Sequence, residues 1–222
     1  NRLNAKNLSN FLIKERPDFI ISTHFFPPEI ATYLKKIKKL NSKLVTVITD
    51  FGVHPLWISG GTDMYIVASN FSKEQLILEG VQENSIKDFG IPIDTKFSKQ
   101  YEKNTLCKKL DIEPNKFTIL ISTGSFGIGQ VEELVDSLYK EVQILVVCAH
   151  NKMLYARLRK RNYPNVRAFG FIDNMQELMA VSDMIITKPG GLTIAESLAM
   201  GLLPIFITAI PGQETENAKI LA

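Results

Sequence analysis

The stretch MIITKPGGLTIAESLAMG, from Met184 to Gly201, decides the predicted fold. Its first four residues are apolar or β-branched and lead into turn residues, which is typical of a buried parallel strand. The segment Lys188-Pro189-Gly190-Gly191 ends the strand, and its glycines allow close approach because they lack a Cβ. The helix that follows points free N–H groups and the positive end of its dipole at the turn. This arrangement predicts a site for an anion such as a diphosphate.

Two interpretations of Glu196 are open. Thr193 and Glu196 have capping-box spacing, so Glu196 could simply accept the backbone N–H of Thr193 at the start of the helix. Alternatively, its carboxylate lies one turn beyond a bound diphosphate and accepts both ribose hydroxyls of a nucleotide. The spacing alone favours the cap, because capping boxes recur at helix starts.

The chain continues into a predicted strand, Leu203 to Thr208, and then a polar segment. Three hydrogen-bonding side chains, Gln213, Glu214 and Asn217, gather just after that strand. Ligands bind at this edge of an open α/β sheet. The alternative is a polar helix start, since an acidic first turn favours the helix dipole.

Strands and helices alternate along the whole chain, which predicts βαβ units and parallel sheets. The composition becomes polar from Asp94 to Asn104, and we place a domain boundary there, giving domains 1–97 and 98–222. In the second domain a glycine loop follows the predicted strand Phe117 to Ser122. It lacks the G-x-G-x-x-G order of a dinucleotide fingerprint. Taken singly, such a loop is more often a tight strand-to-helix turn, although its position at a strand end favours a cradle for a diphosphate or an acceptor.

Composition narrows the class of protein. The chain has 222 residues, 45% hydrophobic and 22% charged, with a net charge of +3, which gives no support for nucleic-acid binding. Cys107 and Cys148 are far apart, so incidental thiols of a cytosolic protein are expected, without a disulfide or a metal framework. No apolar run approaches about 18 residues, and Asn1 opens a polar helix, so neither a membrane span nor a secretion signal is expected.

Several separated motifs carry a family resemblance. TKPGGLTIAES and PGQETENA resemble the donor site of the diacylglycerol glycosyltransferases, the family of monogalactosyldiacylglycerol synthases and processive diacylglycerol β-glucosyltransferases in glycosyltransferase family 28. Three other stretches agree: VTVITDFGVHPLWI at 45–58, GIPI at 90–93 and ILISTGSFGIGQVEEL at 119–134. The likeness runs from about Pro17 to the last residue.

The resemblance implies the GT-B architecture, with two Rossmann-like parallel-sheet halves and a cleft between them. It also implies that both halves are incomplete here. The first half lacks its opening strand and a glycine-rich loop with a histidine proposed to act in catalysis, and the second lacks its closing helices. Turnover is therefore expected to require the missing segments.

The implied activity is inverting transfer of glucose or galactose from a UDP-sugar to diacylglycerol, giving a β-glycosyl-diacylglycerol. The resemblance puts Glu196 on the ribose and Gln213 and Glu214 on the donor sugar. The chain has no Asp-x-Asp signature, so no cofactor and no obligatory metal are expected. The predicted donor-binding residues are Gly124, Ser125, Phe126, Gly127, Lys188, Pro189, Gly190, Gly191, Thr193, Glu196, Gln213, Glu214 and Asn217.

The catalytic base is sought among Asp50 and His54, which follow a predicted strand of the first half, with His24 as a further candidate. If the family pattern holds, the main base lies upstream of this chain. His54 fits equally well as a hydrogen-bonded loop histidine beside the apolar anchor Trp57. His150, after a strand of the second half, fits equally well as plain surface.

Two basic clusters can be interpreted either as solvated helix faces or as membrane-binding surfaces. Lys35, Lys36, Lys38 and Lys39 crowd one predicted helix, Glu29 to Leu40, and a second cluster spans 157–161. Such clusters are most often solvated helix faces. A diacylglycerol acceptor lies in a bilayer, however, and each cation near an anionic surface contributes about 1 kcal/mol. The resemblance therefore implies a cytoplasmic protein, peripheral on the inner face of the cell membrane, with an anionic membrane surface as a partner.

Three alternatives stay open. The peptidoglycan lipid II acetylglucosaminyltransferase has related motifs, although KPGG at 188–191 and DFGVHP at 50–55 fit the diacylglycerol group better. A UDP-sugar epimerase and a non-catalytic UDP-sugar binding module of the same architecture are the others.

Overall fold

The computed structural model describes residues 2–122, 130–207 and 209–222. It divides into two compact units, the first formed by Asn1–Pro92 with Lys219–Ala222 and the second by Ile93–Ala218. The sequence-based boundary at 97/98 falls just inside the second unit. Both units are α/β with wholly parallel sheets, which confirms the predicted fold class.

The first unit has a four-stranded sheet in the order β1-β2-β3-β4. Its elements are α1 (Arg2–Glu15), β1 (Phe19–Ser22), α2 (Phe26–Lys36), β2 (Lys43–Val47), β3 (Met64–Ile66), α3 (Asn70–Leu78) and β4 (Ile86–Lys87), with 3-10 turns at Pro55–Trp57 and Glu83–Ser85. The strands therefore follow one another across the sheet in chain order.

The second unit has a five-stranded sheet in the order β7-β6-β5-β8-β9. Its elements are a 3-10 turn (Thr95–Ser98), α4 (Lys103–Leu110), β5 (Thr118–Ser122), α5 (Val131–Leu138), β6 (Gln143–Val147), α6 (Lys152–Arg161), β7 (Val166–Phe169), α7 (Met175–Val181), β8 (Met184–Thr187), α8 (Gly191–Ala199), β9 (Leu203–Phe206) and α9 (Gln213–Leu221). The strand order reverses between β5 and β8, so the crevice at their carboxyl ends is the topological switch point.

The central strand of the second sheet, β5, and its neighbour β6 are buried over their full length. Leu120 and Leu145 belong to one apolar cluster, whereas Ile119 and Ile144 belong to another. Neighbouring residues on a strand point to opposite faces, so the sheet is covered on both sides. This explains why its strands read as continuous apolar runs in the sequence.

The predicted bounds of α2 were wrong. The helix begins at Phe26 and ends at Lys36, so Pro27 and Pro28, which precede the predicted start at Glu29, form its first turn. Proline suits that position because the N–H groups of the first turn have no intrahelical partner. At the other end Lys38 adopts a left-handed φ of 57°, which takes the chain out of the helix before the predicted end at Leu40.

Lys35 is not part of a free basic cluster. Its Nζ donates to the Gly61 carbonyl at 2.9 Å and lies 2.6 Å from Asp63 Oδ2. Asp63 also accepts the Leu44 N–H at 2.9 Å and pairs with Lys43. Burial alone would raise the pKa of Asp63, but these bonds outweigh it and lower the pKa to about 2. One carboxylate thus ties α2 and β2 to the start of β3.

Replacing Asp63 by asparagine is expected to lower the free energy of unfolding at pH 7 by about 1–2 kcal/mol, because Lys35 loses its counter-charge. A lowered pKa contributes stability that is present above the unfolded pKa and lost as pH falls from about 4 to about 2. The variant should therefore converge on the native protein in that window. Urea unfolding followed by Trp57, the single buried tryptophan, reports on this unit. Exposed Asp18→Asn is the control, and a difference that persists at pH 2 would contradict the linkage.

Candidate functional site

The predicted donor residues follow β5, β8 and β9, so the sheet order brings their loops to one edge at the switch point. Gly124, Ser125, Phe126 and Gly127, in the loop after β5, lie outside the described residues. The other nine lie in the loop after β8, in α8, and in α9.

The amino end of α8 is formed by glycine. The helix begins at Gly191, with Gly190 as its N-cap in extended conformation and no side-chain hydrogen bond to the cap. Gly191 is buried, and a Cβ at Gly190 would meet no atom within 4 Å. The N–H groups of the first turn have no intrahelical acceptors, so they are available to an anion.

The capping-box interpretation of Thr193 and Glu196 is wrong. Because the helix begins two residues before Thr193, Thr193 lies inside the first turn and Glu196 in the second. A capping box requires the acidic residue at the third helical position. Glu196 consequently has no role in capping α8.

Glu196 has a half-buried carboxylate without a partner. Within residues 2–122, 130–207 and 209–222, neither a hydrogen bond nor an ion pair reaches it. Burial raises its pKa, while the nearby charge of Lys96 lowers it and that of Asp94 raises it. Holding a carboxyl group in this state costs stability, since its charged form is partly desolvated. A ligand that donates hydrogen bonds would offset that cost, which marks a binding residue.

Lys188 and Glu214 join the loop after β8 to α9. Lys188 Nζ lies 3.0 Å from Glu214 Oε1, and the Ile210 N–H donates to Glu214 Oε2 at 2.7 Å. Their side chains are 13% and 20% exposed. The sequence placed both residues against the donor, and the structure brings them into contact with each other.

Asn217 supports the same loop from below. It is 1% exposed, and its Nδ2 donates to the Pro189 carbonyl at 3.0 Å. The amide is buried beneath this loop, and its predicted direct contact with a donor stays a prediction. Gln213 begins α9 and is partly exposed, so its side chain is accessible at this edge.

An aromatic pair at the same edge was only half anticipated. His150 follows β6 and Phe171 follows β7, and their rings stack with centroids 5.0 Å apart and planes 15° apart. Phe171 is 70% exposed. His150 was a candidate from the sequence and Phe171 was not, although a bulky apolar residue directly after a strand and a glycine is a usable signal.

The candidate bases of the first unit lie in the segment after β2. Asp50 Oδ2 accepts the Trp57 indole N–H at 3.3 Å. His54 is exposed and its Nδ1 accepts the Leu56 N–H at 3.2 Å, as expected of a hydrogen-bonded loop histidine. His24 makes the same kind of bond, from the Phe26 N–H at 3.1 Å. Roles for Asp50 and His54 in catalysis stay predictions.

The part of the chain that the structure describes contains no group of three or more His, Cys, Asp or Glu side chains arranged to hold a metal ion. Cys107 and Cys148 are buried and unpaired, and burial raises the pKa of the Cys148 thiol to about 11. Among the helices of the same residues, none combines the length and the apolar character needed to cross a membrane.

Two family models match the chain in turn. Residues 1–93 match the monogalactosyldiacylglycerol (MGDG) synthase family, and residues 118–222 match the glycosyltransferase family 28 C-terminal domain. The two matches leave out only the segment between them, which contains the predicted polar linker.

One curated relative and two solved structures illustrate the likeness. A processive diacylglycerol beta-glucosyltransferase of Staphylococcus carnosus is 38% identical over 95% of this chain and 55% of its own length. The chain thus spans about half the length of the curated relatives it matches. A UDP-GlcNAc 2-epimerase from Neisseria meningitidis bound to UDP-GlcNAc has a TM-score of 0.67 at 14% identity, covering 97% of this chain and 66% of its own. Acinetobacter baumannii MurG has a TM-score of 0.65 at 16% identity, covering 98% and 60%. These structures support the predicted GT-B fold.

Proposed function

The chain belongs to the diacylglycerol glycosyltransferase family, and from this membership we propose that it forms the donor-binding part of an enzyme that transfers a hexose from a UDP-sugar to diacylglycerol. The product would be a β-glycosyl-diacylglycerol, formed with inversion from an α-linked donor. The observation that carries the proposal is the partnerless, half-buried carboxylate of Glu196 on the helix that begins at the switch point.

The geometry of α8 suits a nucleoside diphosphate. Its first-turn N–H groups and dipole stabilise a diphosphate, which is also where negative charge develops when the sugar leaves. Glu196 lies five residues beyond Gly191, about 7.5 Å along the helix axis. A ribose attached to that diphosphate would thereby bring its two hydroxyls to an acceptor that lacks donors. We propose that the first-turn N–H groups and the dipole of α8 hold the leaving diphosphate in place of a metal.

The aromatic pair of His150 and Phe171 offers a surface for the nucleobase of the donor. His150 and Phe171 lie at the same sheet edge, beyond β5 on the side of β6 and β7. A stacked, exposed pair supplies a flat apolar face of the kind that receives a nucleobase. We place the uracil there, with the ribose at Glu196 and the diphosphate at the start of α8. The hexose then falls near Gln213 and Glu214.

For the acceptor we propose a diacylglycerol presented by an anionic membrane, with the protein peripheral on its cytoplasmic face. Lys36, Lys38 and Lys39 are exposed and unpaired within the described chain. Tyr33, which is 59% exposed, is three residues from Lys36 and four from Ile37, which is 39% exposed at the end of the helix, so Tyr33 lies beside both. Basic and aromatic side chains on one helix face are typical of binding at a membrane interface.

The proposal is tested with the protein at its full length, because the chain spans about half the length of its curated relatives. Radiolabelled UDP-glucose and UDP-galactose are offered with diacylglycerol in anionic vesicles, and the products are separated by phase extraction. We expect a lipid-soluble β-glycoside from one donor. A new free sugar nucleotide would instead support epimerisation, and donor binding without any product would support a sensor.

A further inference from the structure

Glu214 is held by two donors, one on each oxygen. Lys188 Nζ reaches Oε1 at 3.0 Å and the Ile210 N–H reaches Oε2 at 2.7 Å. These contacts come from two different loops, so the carboxylate plane is fixed from both sides.

The carboxylate is not saturated by these contacts. Each oxygen of an ionised carboxylate offers about two acceptor positions, so one remains on Oε1 and one on Oε2. No other donor within the described residues occupies them, and the side chain is still 20% exposed. A fixed carboxylate with one free position on each oxygen can accept two adjacent hydroxyl groups at once.

We propose that Lys188 is a positioning residue that holds Glu214 so that its two free acceptor positions read a pair of adjacent hydroxyls on the donor hexose. This inference rests on the proposed function and deepens it. Glucose and galactose differ in the orientation of one hydroxyl, and a rigid bidentate acceptor distinguishes such pairs better than a mobile one.

Lys188 also has an electrostatic part in this arrangement. Glu214 lies at the sheet edge where the proposed diphosphate binds, and a free carboxylate there would repel it. The ammonium of Lys188, 13% exposed and in contact with Glu214, cancels that charge. Lys188 is therefore assigned an indirect role, in place of the direct donor contact that the sequence indicated.

The test is a double-mutant cycle in the full-length protein, using calorimetry with UDP, UDP-glucose and UDP-galactose. Two affinity ratios are measured: that of the preferred UDP-hexose to UDP, and that of UDP-glucose to UDP-galactose. Lys188→Met should lower the first ratio by about 5- to 10-fold and bring the second towards one. Lys188→Arg should restore most of both. In a Glu214→Gln background, which keeps an acceptor for Ile210, Lys188→Met should have no further effect on either ratio.

The outcomes separate this inference from the proposed function. If UDP binds and the Lys188→Met variant keeps native hexose ratios, or if its effect persists in the Glu214→Gln background, the positioning role is overturned. Absence of UDP binding by the unaltered protein would overturn the proposed function as well. Lys160→Met, an exposed lysine of α6 without an ion pair in the described structure, is the matched control and should change neither ratio.

Discussion

Replacing Glu196 by glutamine is expected to weaken UDP binding by about 10- to 150-fold, which corresponds to about 1.5–3 kcal/mol. The carboxylate accepts both ribose hydroxyls in the proposed complex, and the amide can offer only one oxygen, without charge. Glu196→Asp keeps the charge on a shorter side chain and should lose less. Calorimetry with UDP measures both, and Glu141→Gln on the exposed surface is the matched control.

Stability should change in the opposite direction. Burial raises the pKa of Glu196, and a raised carboxyl pKa contributes stability that is present at low pH and lost as pH rises through the folded pKa. At pH 7 the ionised carboxylate is therefore a cost to the folded protein, and Glu196→Gln should keep or raise the melting temperature while UDP affinity falls. A variant that loses stability and retains UDP affinity would show that Glu196 is structural.

The same charge predicts the pH dependence of binding. UDP affinity should decline as Glu196 is protonated, starting at a higher pH than for an ordinary glutamate, because burial raises its pKa. Glu196→Gln should remove this component. The difference between the native and variant pH profiles thus isolates the one group from the ionisation of the ligand itself.

Local patterns in the sequence predicted most of the second unit. The apolar runs at β5 and β8 and the glycines at the start of α8 each determine structure through nearby residues. Parallel topology followed from the alternation of strands and helices. These features required no knowledge of distant contacts, which is why they could be read from the chain.

Contacts between distant residues could not be predicted in this way. Lys188 and Glu214 are 26 residues apart, and Lys35 and Asp63 are 28 apart. In each pair a lysine that the sequence indicated was available to bind a ligand or a membrane forms an ion pair within the protein. The capping error at Thr193 has a different origin, since a capping-box spacing is also produced by chance inside a helix whose true cap is a glycine.

The second large effect is expected on membrane binding, from the exposed lysines at the end of α2. Replacing Lys36, Lys38 and Lys39 together by glutamine is expected to weaken binding of the full-length protein to anionic vesicles by up to about 3 kcal/mol, or about 150-fold. Lys35 is left unchanged because it forms an ion pair with Asp63, and replacing it would alter the stability of the first unit. UDP affinity should stay within about twofold of native, since the donor residues lie in the second unit.

Vesicle sedimentation at low and high salt measures this effect, and added salt should remove most of the difference because exposed charges are screened over about 8 Å at physiological ionic strength. A triple variant of exposed lysines in the second unit that lie outside the 157–161 cluster, Lys99, Lys108 and Lys140, carries the same charge change and serves as the control. If both triple variants lose affinity equally, net charge alone governs binding. If only the α2 variant loses it, the helix that exposes Tyr33 and Ile37 beside these lysines is the membrane-facing surface of the first unit.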